Sequence, residues 1–319
     1  FLHPFIGPMV RPCTVPMRRG ALPVLALALA TALLWDPTAR QGSFAAMPEV
    51  AEEDLLVVGA GYLGRRVAKL WQSQKPQAKV VAATLTETNH EALRNEGLEP
   101  ILAEDLKASK MKFAQVVYCA PPSRTADYAE SVAEAVQHVA SGGIVVFTSS
   151  ASVFAEDDGK AVDESGSLSE SSSAQRMLQA EAAARSAGSG AVLRLAGLYD
   201  LERGPHSYWL KVGVVKGAPE GLINLVHYED AASAVVSALE AKKPEVYVIS
   251  DGVPISRREI CTAAVQSKHV AGKAMPTFEA PAELPMGGAH GKRLDASKAR
   301  QQLGWRPKFG SFAEYMAAH

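Results

Sequence analysis

The chain has 319 residues, 47% hydrophobic and 21% charged, with a net charge of -1. That is the make-up of a globular α/β-sized protein, and it excludes the broad basic field that holds nucleic acid or an anionic membrane. Three cysteines, Cys13, Cys119 and Cys261, are odd in number and stand at no metal-ligand spacing, so neither a metal centre nor a disulfide framework is expected.

Residues 1–46 read as a targeting segment and not as part of the fold. Arg11, Arg18 and Arg19 precede the apolar run Ala21 to Trp35, no acid occurs before Asp36, and Ser43-Phe-Ala-Ala46 offers small residues for cleavage. With Pro23 inside it, the run is short for a membrane span and suits a signal h-region, so no stable span is expected in the mature protein. An imported protein is expected, with plastid or thylakoid lumen favoured through Arg18-Arg19 as a twin-arginine element, or else an exported one. The alternatives are an uncleaved anchor, or an over-extended reading frame, in which case the protein is cytoplasmic.

Leu55 to Val58 is a short apolar run, the pattern of a buried strand. Gly59, Gly61 and Gly64 follow at G-x-G-x-x-G spacing, and Leu63, Val67 and Leu70 recur at helical period. The first glycine permits a tight turn. The second lets backbone approach a pyrophosphate, and the third lets the helix pack closely on the strand. A glycine loop between strand and helix is the context expected of a dinucleotide site, with a plain βα turn as the alternative. A second strand, Lys79 to Thr84, ends without the acid that holds the ribose hydroxyls of NAD; the first acid is Glu87. Arg65, with Thr84 or Thr86, stands where a 2′-phosphate would be read, so NADP is slightly preferred over NAD. Arg65 and Arg66 as a solvated helix face is the alternative.

Thr88 to Gly97 reads as a helix and Leu98 to Asp105 as a third strand ending in an acid. Phe113 to Ala120 is a fourth strand, turned by Pro121 and Pro122 across its carboxyl end. Tyr128 to Val139 is an amphipathic helix, and Gly142 to Phe147 a fifth strand that opens into Thr148-Ser-Ser-Ala-Ser-Val-Phe154. The acidic, serine-rich stretch 155–173 reads as a surface loop or lid. A helix over Ala174 to Ser186 and a strand over Ala191 to Leu195 follow. Asp200 to Gly221 reads as an irregular substrate-facing segment. Leu222 to Val226 and Glu245 to Ser250 are strands around a helix from His227 to Leu239. Strands alternating with helices imply right-handed crossovers and a parallel sheet. The fold class is therefore α/β, a Rossmann-type doubly wound parallel sheet with a small C-terminal substrate-facing subdomain. Residues 47–198 and 222–250 are assigned to the first, 199–221 and 251–319 to the second.

The order of these motifs resembles the extended short-chain dehydrogenase/reductase family, the NAD-dependent epimerase and dehydratase group, and most of all its compact, atypical YeeZ-like members. The resemblance rests on Gly59-Ala-Gly-Tyr-Leu-Gly64, on Phe147 to Phe154, and on Leu193-Arg-Leu-Ala-Gly-Leu-Tyr199. Asn224 to Asp230, Val248 to Pro254, Gly291-Lys-Arg-Leu and Leu303-Gly-Trp-Arg-Pro307 complete it. It implies that Gly59, Gly61 and Gly64, with Tyr62 and Leu63 between them, cradle the pyrophosphate. It also implies that Asp105 approaches the adenine beside Leu106, and that Ala120 and Pro121 floor the ribose. Ser150 falls on the family's catalytic hydroxyl, and Arg203 and His206 on the region that holds substrate. The family's tyrosine and lysine pair, however, falls on Ser173 and Met177. Serine is a poor acid and methionine carries no charge, so a phenol from Tyr199, Tyr208 or Tyr228 is the candidate replacement, with a packed aromatic as the alternative at each. Two functions follow. One is an NAD(P)-dependent oxidoreductase or epimerase on a small, nucleotide-sugar-like substrate, with a rearranged acid. The other is a non-catalytic NAD(P)-binding sensor or assembly protein. The resemblance also implies a homodimer.

Overall fold

The computed structural model describes residues 50–186, 188–270, 272–279 and 291–319; the expected targeting segment lies outside them. In chain order the first half gives β1 (Leu55–Val58), α1 (Tyr62–Gln74), β2 (Val80–Thr84), α2 (His90–Asn95), β3 (Glu99–Leu102) and α3 (Ala103–Ala108). Then come β4 (Phe113–Tyr118), α4 (Tyr128–Val136), β5 (Val139–Ser150), β6 (Asp158–Val162), α5 (Ser172–Arg185), β7 (Gly190–Leu195) and β8 (Gly197–Tyr199). The rest runs α6 (Pro205–Val212), β9 (Val214–Lys216), β10 (Leu222–Ile223), β11 (Leu225–His227), α7 (Tyr228–Ala241), β12 (Val246–Ile249) and β13 (Ile255–Ser256). It closes with α8 (Arg257–Gln266), β14 (Thr277–Glu279), β15 (Gly291–Leu294), α9 (Ser297–Gln302) and α10 (Phe312–Ala318).

Seven strands form one parallel sheet in the order β12-β7-β5-β4-β1-β2-β3. Sequence order reverses on either side of β1, which puts the topological switch point between β1 and β4, where open α/β sheets take ligands. The central strands carry continuous apolar runs because both faces are covered. Leu55 and Val57 point to one face, into a core with Leu63, Val67 and Trp71 of α1 and Val235 and Leu239 of α7. Leu56 points to the other, against Val81, Leu106 and Val116. Further along that sheet, Tyr118, Phe147 and Val192 meet Tyr128 and Val132 of α4 and Ala180 and Ala184 of α5.

The C-terminal part has its own apolar cluster, in which Tyr199, Leu225, Ile255, Ile260, Phe312 and Met316 meet. Asp230 pins it to α7. Its carboxylate accepts the backbone N–H groups of Lys308 (2.7 Å) and Phe309 (3.1 Å), and its carbonyl accepts the Trp305 indole (3.1 Å). The Gly304-Trp-Arg-Pro307 motif is thus a docking hook onto α7.

Several stretches differ from expectation, among them Leu222 to Val226, which splits into β10 and β11, paired with β13 and β8 outside the seven-strand sheet. The 155–173 stretch is not all loop, since β6 pairs in parallel with β15. The pairing carries chain from within 47–198 onto the C-terminal part. The 200–221 stretch contains a helix, α6, entered by Gly204 and Pro205 and ended by Gly213 in the left-handed region. The third strand stops at Leu102, and Asp105 sits exposed in the first turn of α3 beside Glu104, where acids favour the helix dipole. Among the described residues no helix is long and apolar enough to cross a membrane, and no group of His, Cys, Asp and Glu could hold a metal ion.

Candidate functional site

The carboxyl ends of β1, β2, β4 and β5 carry the glycine loop, Thr84, Ala120 and Ser150 along one edge of the sheet. Each glycine is there for a distinct physical reason. Gly59 has φ of 89°, and a Cβ on it would lie 2.3 Å from the Ala120 nitrogen. Gly64 is pressed on β1, where a Cβ would meet the Gly59 carbonyl at 2.4 Å and Val57 at 3.1 Å. Gly61 is the opposite case. Its φ is -82°, and a Cβ there would meet nothing within 4 Å. It opens α1 with no side-chain cap and no acid in the first turn. The first N–H groups of a helix lack intrahelical partners, so this open end suits an anion. A dinucleotide's diphosphate fits these residues.

Around this loop the other assignments divide. Tyr62 and Leu63 contribute backbone at the helix start, and the Leu63 side chain is buried in the core. Leu106 is likewise buried, which leaves only its backbone for an adenine. Ala120 lies against Gly59, and Pro121 is exposed after it. The Thr84 hydroxyl donates to the Thr86 carbonyl at 3.0 Å and contacts His90 Nε2 at 2.7 Å.

Arg65 requires a correction. Its guanidinium forms a two-point ion pair with Glu96 at the end of α2, one arm being Nε at 3.2 Å, and is thereby held away from a 2′-phosphate role. Lys69 also approaches Glu96, at 3.4 Å, and the Arg65 guanidinium holds the Glu96 carboxyl below the usual carboxylate range. Glu96→Gln is therefore expected to release Arg65 and raise NADPH affinity several-fold with NADH affinity unchanged, read by parallel fluorescence titrations. Equal effects on both cofactors would remove Arg65 from cofactor choice altogether.

Ser150 ends β5, half-buried, and caps the 3₁₀ turn Ala151–Val153. Its hydroxyl donates to Ser152 Oγ at 2.9 Å and accepts the Ser152 N–H at 3.2 Å. Ser173 is exposed on α5 and faces Ser171 Oγ (3.3 Å), while Met177 packs into the core. Arg176, next to Met177, is engaged elsewhere. Its guanidinium donates to the carbonyls of Pro122 (2.9 Å), Thr125 and Ala126, fastening the turn after β4.

Tyr199 and His206 are corrected as well. Tyr199 is 0% exposed, packed edge-on by His227, Phe312 and Tyr315, and burial pushes its phenol up. A phenol with no access to the strand ends is a core aromatic, not an acid. His206 is buried at the start of α6 against Phe312, and burial holds its imidazole below the usual range, so it does not line an open substrate site. Arg203, by contrast, is exposed, and its guanidinium lies 4.0 Å from the centre of the Tyr62 ring. Tyr208 is 63% exposed on α6. Tyr228, half-buried, meets Tyr62 edge-on at 4.7 Å, and burial raises its phenol.

Several residues at the site were given no individual role by the sequence. Asp200 accepts the Tyr62 hydroxyl, and Arg66 reaches Asp200 (3.4 Å) and Glu229 (2.9 Å). Arg66 follows Tyr62 by four residues, the spacing that places two side chains on one helix face. Lys292 brings an ammonium to the Ser150–Phe154 turn, where it donates to the Phe154 carbonyl at 2.6 Å, and burial lowers its affinity for the proton. Behind Ser150 lies a buried ion pair. Glu181 of α5 holds Arg194 of β7 through two contacts (2.8 and 3.1 Å) and accepts the Ser149 hydroxyl at 2.6 Å. A surface cleft of about 700 Å³ lies elsewhere, beside α6, lined by residues that include Glu202, Ser207, Lys211 and Lys273. It includes none of the strand-end residues.

No family model matches the chain, and no curated protein does. Solved structures do. A functionally unknown conserved protein from Silicibacter pomeroyi superposes with a TM-score of 0.67 at 22% identity, covering 83% of this chain and 97% of that one. MoeE5, in complex with UDP-glucose and NAD, gives 0.65 at 19% over the same shares. The UDP-Glc/GlcNAc 4-epimerase from Campylobacter jejuni gives 0.65 at 16%, again over 83% and 97%. At these identities the likeness establishes the fold. It is a Rossmann-type α/β architecture, which the chain shares with solved structures named as UDP-sugar 4-epimerases and a dTDP-glucose 4,6-dehydratase.

Proposed function

We propose that the chain is an NAD(P)-dependent oxidoreductase of the epimerase and dehydratase kind, acting on a small, nucleotide-sugar-like substrate. The observation that carries this reading is the glycine loop, with Gly59 against Ala120, Gly64 against β1, and an open, uncapped helix start at Gly61. Structural neighbours of this fold hold NAD and UDP-sugars, as MoeE5 does. A bound nicotinamide supplies a site that accepts or returns a hydride. The chain's own part is to hold the diphosphate on α1, to place a substrate oxygen at Ser150, and to move a proton. With Tyr199 and His206 buried, Tyr228, Tyr208 or solvent supplies that proton. NAD and NADP both remain within the proposal, since Arg65 is engaged by Glu96. Import of the protein through residues 1–46 and assembly as a homodimer belong to the same proposal.

The loss of the tyrosine and lysine pair favours a second reading, a cofactor-binding sensor or assembly protein without turnover. One experiment separates the two. A panel of UDP-hexoses with NAD or NADP is expected to give a changed sugar or a reduced cofactor with the native chain. Ser150→Ala is expected to bind cofactor normally and to lose turnover by about two orders of magnitude or more, the loss seen when an oxyanion-type donor is removed. Cofactor binding without conversion of any substrate would favour the sensor. Conversion that Ser150→Ala leaves intact would take the serine out of the chemistry.

A further inference from the structure

We propose that Arg203 is a mobile arm of the dinucleotide site, reaching from the turn before α6 to bind the cofactor's diphosphate on the side away from α1. The inference rests on the cofactor reading above. Tyr62, the first residue of α1, has two guanidiniums over its ring. Arg66 lies 3.8 Å from the ring centre and Arg203 lies 4.0 Å from it.

The two cations differ in what else holds them. Arg66 is fully engaged by Asp200 (3.4 Å), Glu229 (2.9 Å) and the Tyr62 carbonyl (3.0 Å). Arg203 is exposed and makes no ion pair among the described residues, so its side chain rests on Tyr62 by a cation–π contact. Its backbone is fixed. The Arg203 N–H donates to Asp200 Oδ1 at 2.8 Å, and its carbonyl accepts the Asp200 N–H at 2.9 Å. Gly204 follows with φ of 136°, packed against Tyr199 and His206 at 3.0 and 3.1 Å from a notional Cβ. A rigid base and a free guanidinium at the threshold of an open helix start make an anion-binding arm. An exposed cation–π contact is weak beside the paired hydrogen bonds that a guanidinium gives to phosphate oxygens, so a diphosphate draws Arg203 off the ring. Asp200 then ties cofactor binding to α6, because it holds both the Tyr62 hydroxyl and the Arg203 backbone.

The test is calorimetric titration of the full chain with NADH, ADP and adenosine. Arg203→Gln is expected to weaken NADH and ADP about tenfold, the scale of a lost charge-assisted hydrogen bond, and to leave adenosine within about twofold. Arg203→Lys is expected to fall between, because an ammonium keeps the charge and loses the fork. Unchanged ADP affinity in Arg203→Gln would overturn the arm while the cofactor reading stands. An equal loss for adenosine would overturn it too, by showing a structural effect. A native chain that binds neither NADH nor ADP would overturn both.

Discussion

Gly61→Asp is expected to abolish dinucleotide binding while leaving the melting temperature unchanged or slightly raised. The expectation follows from the place of Gly61. Its φ of -82° is open to any residue, and a Cβ there meets nothing within 4 Å. It is also the N-cap of α1, with no side chain capping that helix. Aspartate is a better N-cap than glycine by a few tenths of a kcal/mol, and its charge favours the helix start. The same carboxylate would occupy the N–H groups and the space that a diphosphate needs, and would repel it. Binding is therefore lost with no cost in folding. Gly59 and Gly64 behave differently, because a Cβ at either collides with backbone, so side chains there unfold the loop. Parallel titration calorimetry and thermal melts on Gly61→Asp check the claim. Retained NADH or NADPH affinity would remove the phosphate from α1.

Glu181→Ala is expected to destabilise the cofactor-free protein by about 3–5 kcal/mol, a large share of the 5–15 kcal/mol that typically holds a folded domain. Both partners of the pair are buried, with Arg194 and Glu181 side chains 6% and 7% exposed. Removing the carboxylate strands the guanidinium in a dry interior and takes the acceptor from the Ser149 hydroxyl. Arg194 is also stacked 4.9 Å from the Phe154 ring centre, so the strain passes into the turn that follows Ser150. Replacing both partners by apolar residues, Glu181→Leu with Arg194→Met, is expected to recover most of the loss, because the cost lies in the unpaired charge. Urea unfolding measures both variants. A loss under about 1 kcal/mol for Glu181→Ala would mean that water reaches Arg194.

The sheet was legible because its central strands carry compact apolar runs buried on both faces, and because the glycine loop stands between strand and helix. The tight turn at Gly59 and the close packing at Gly64 followed from spacing and context. Partners distant in sequence did not. Arg65 reads as a free base next to the loop until Glu96 is folded against it. Tyr199 entered as a candidate phenol and His206 through the resemblance, and only burial shows both to be core. β6 was missed because Asp158-Gly-Lys-Ala-Val162 is polar and short, and it becomes a strand only by pairing with β15. Helix α6 was missed for a related reason: Pro205 and aromatics break the usual pattern, although Pro at the first helical position is a start signal.

The central claim is that this chain binds a nicotinamide dinucleotide on α1. Titrating the full chain separately with NADH and NADPH tests it most directly, by energy transfer from tryptophan to the reduced nicotinamide. Trp71 lies within α1 itself. Saturable binding of at least one of them in the micromolar range is expected. No binding of either would contradict the account, leaving the Rossmann fold without the oxidoreductase.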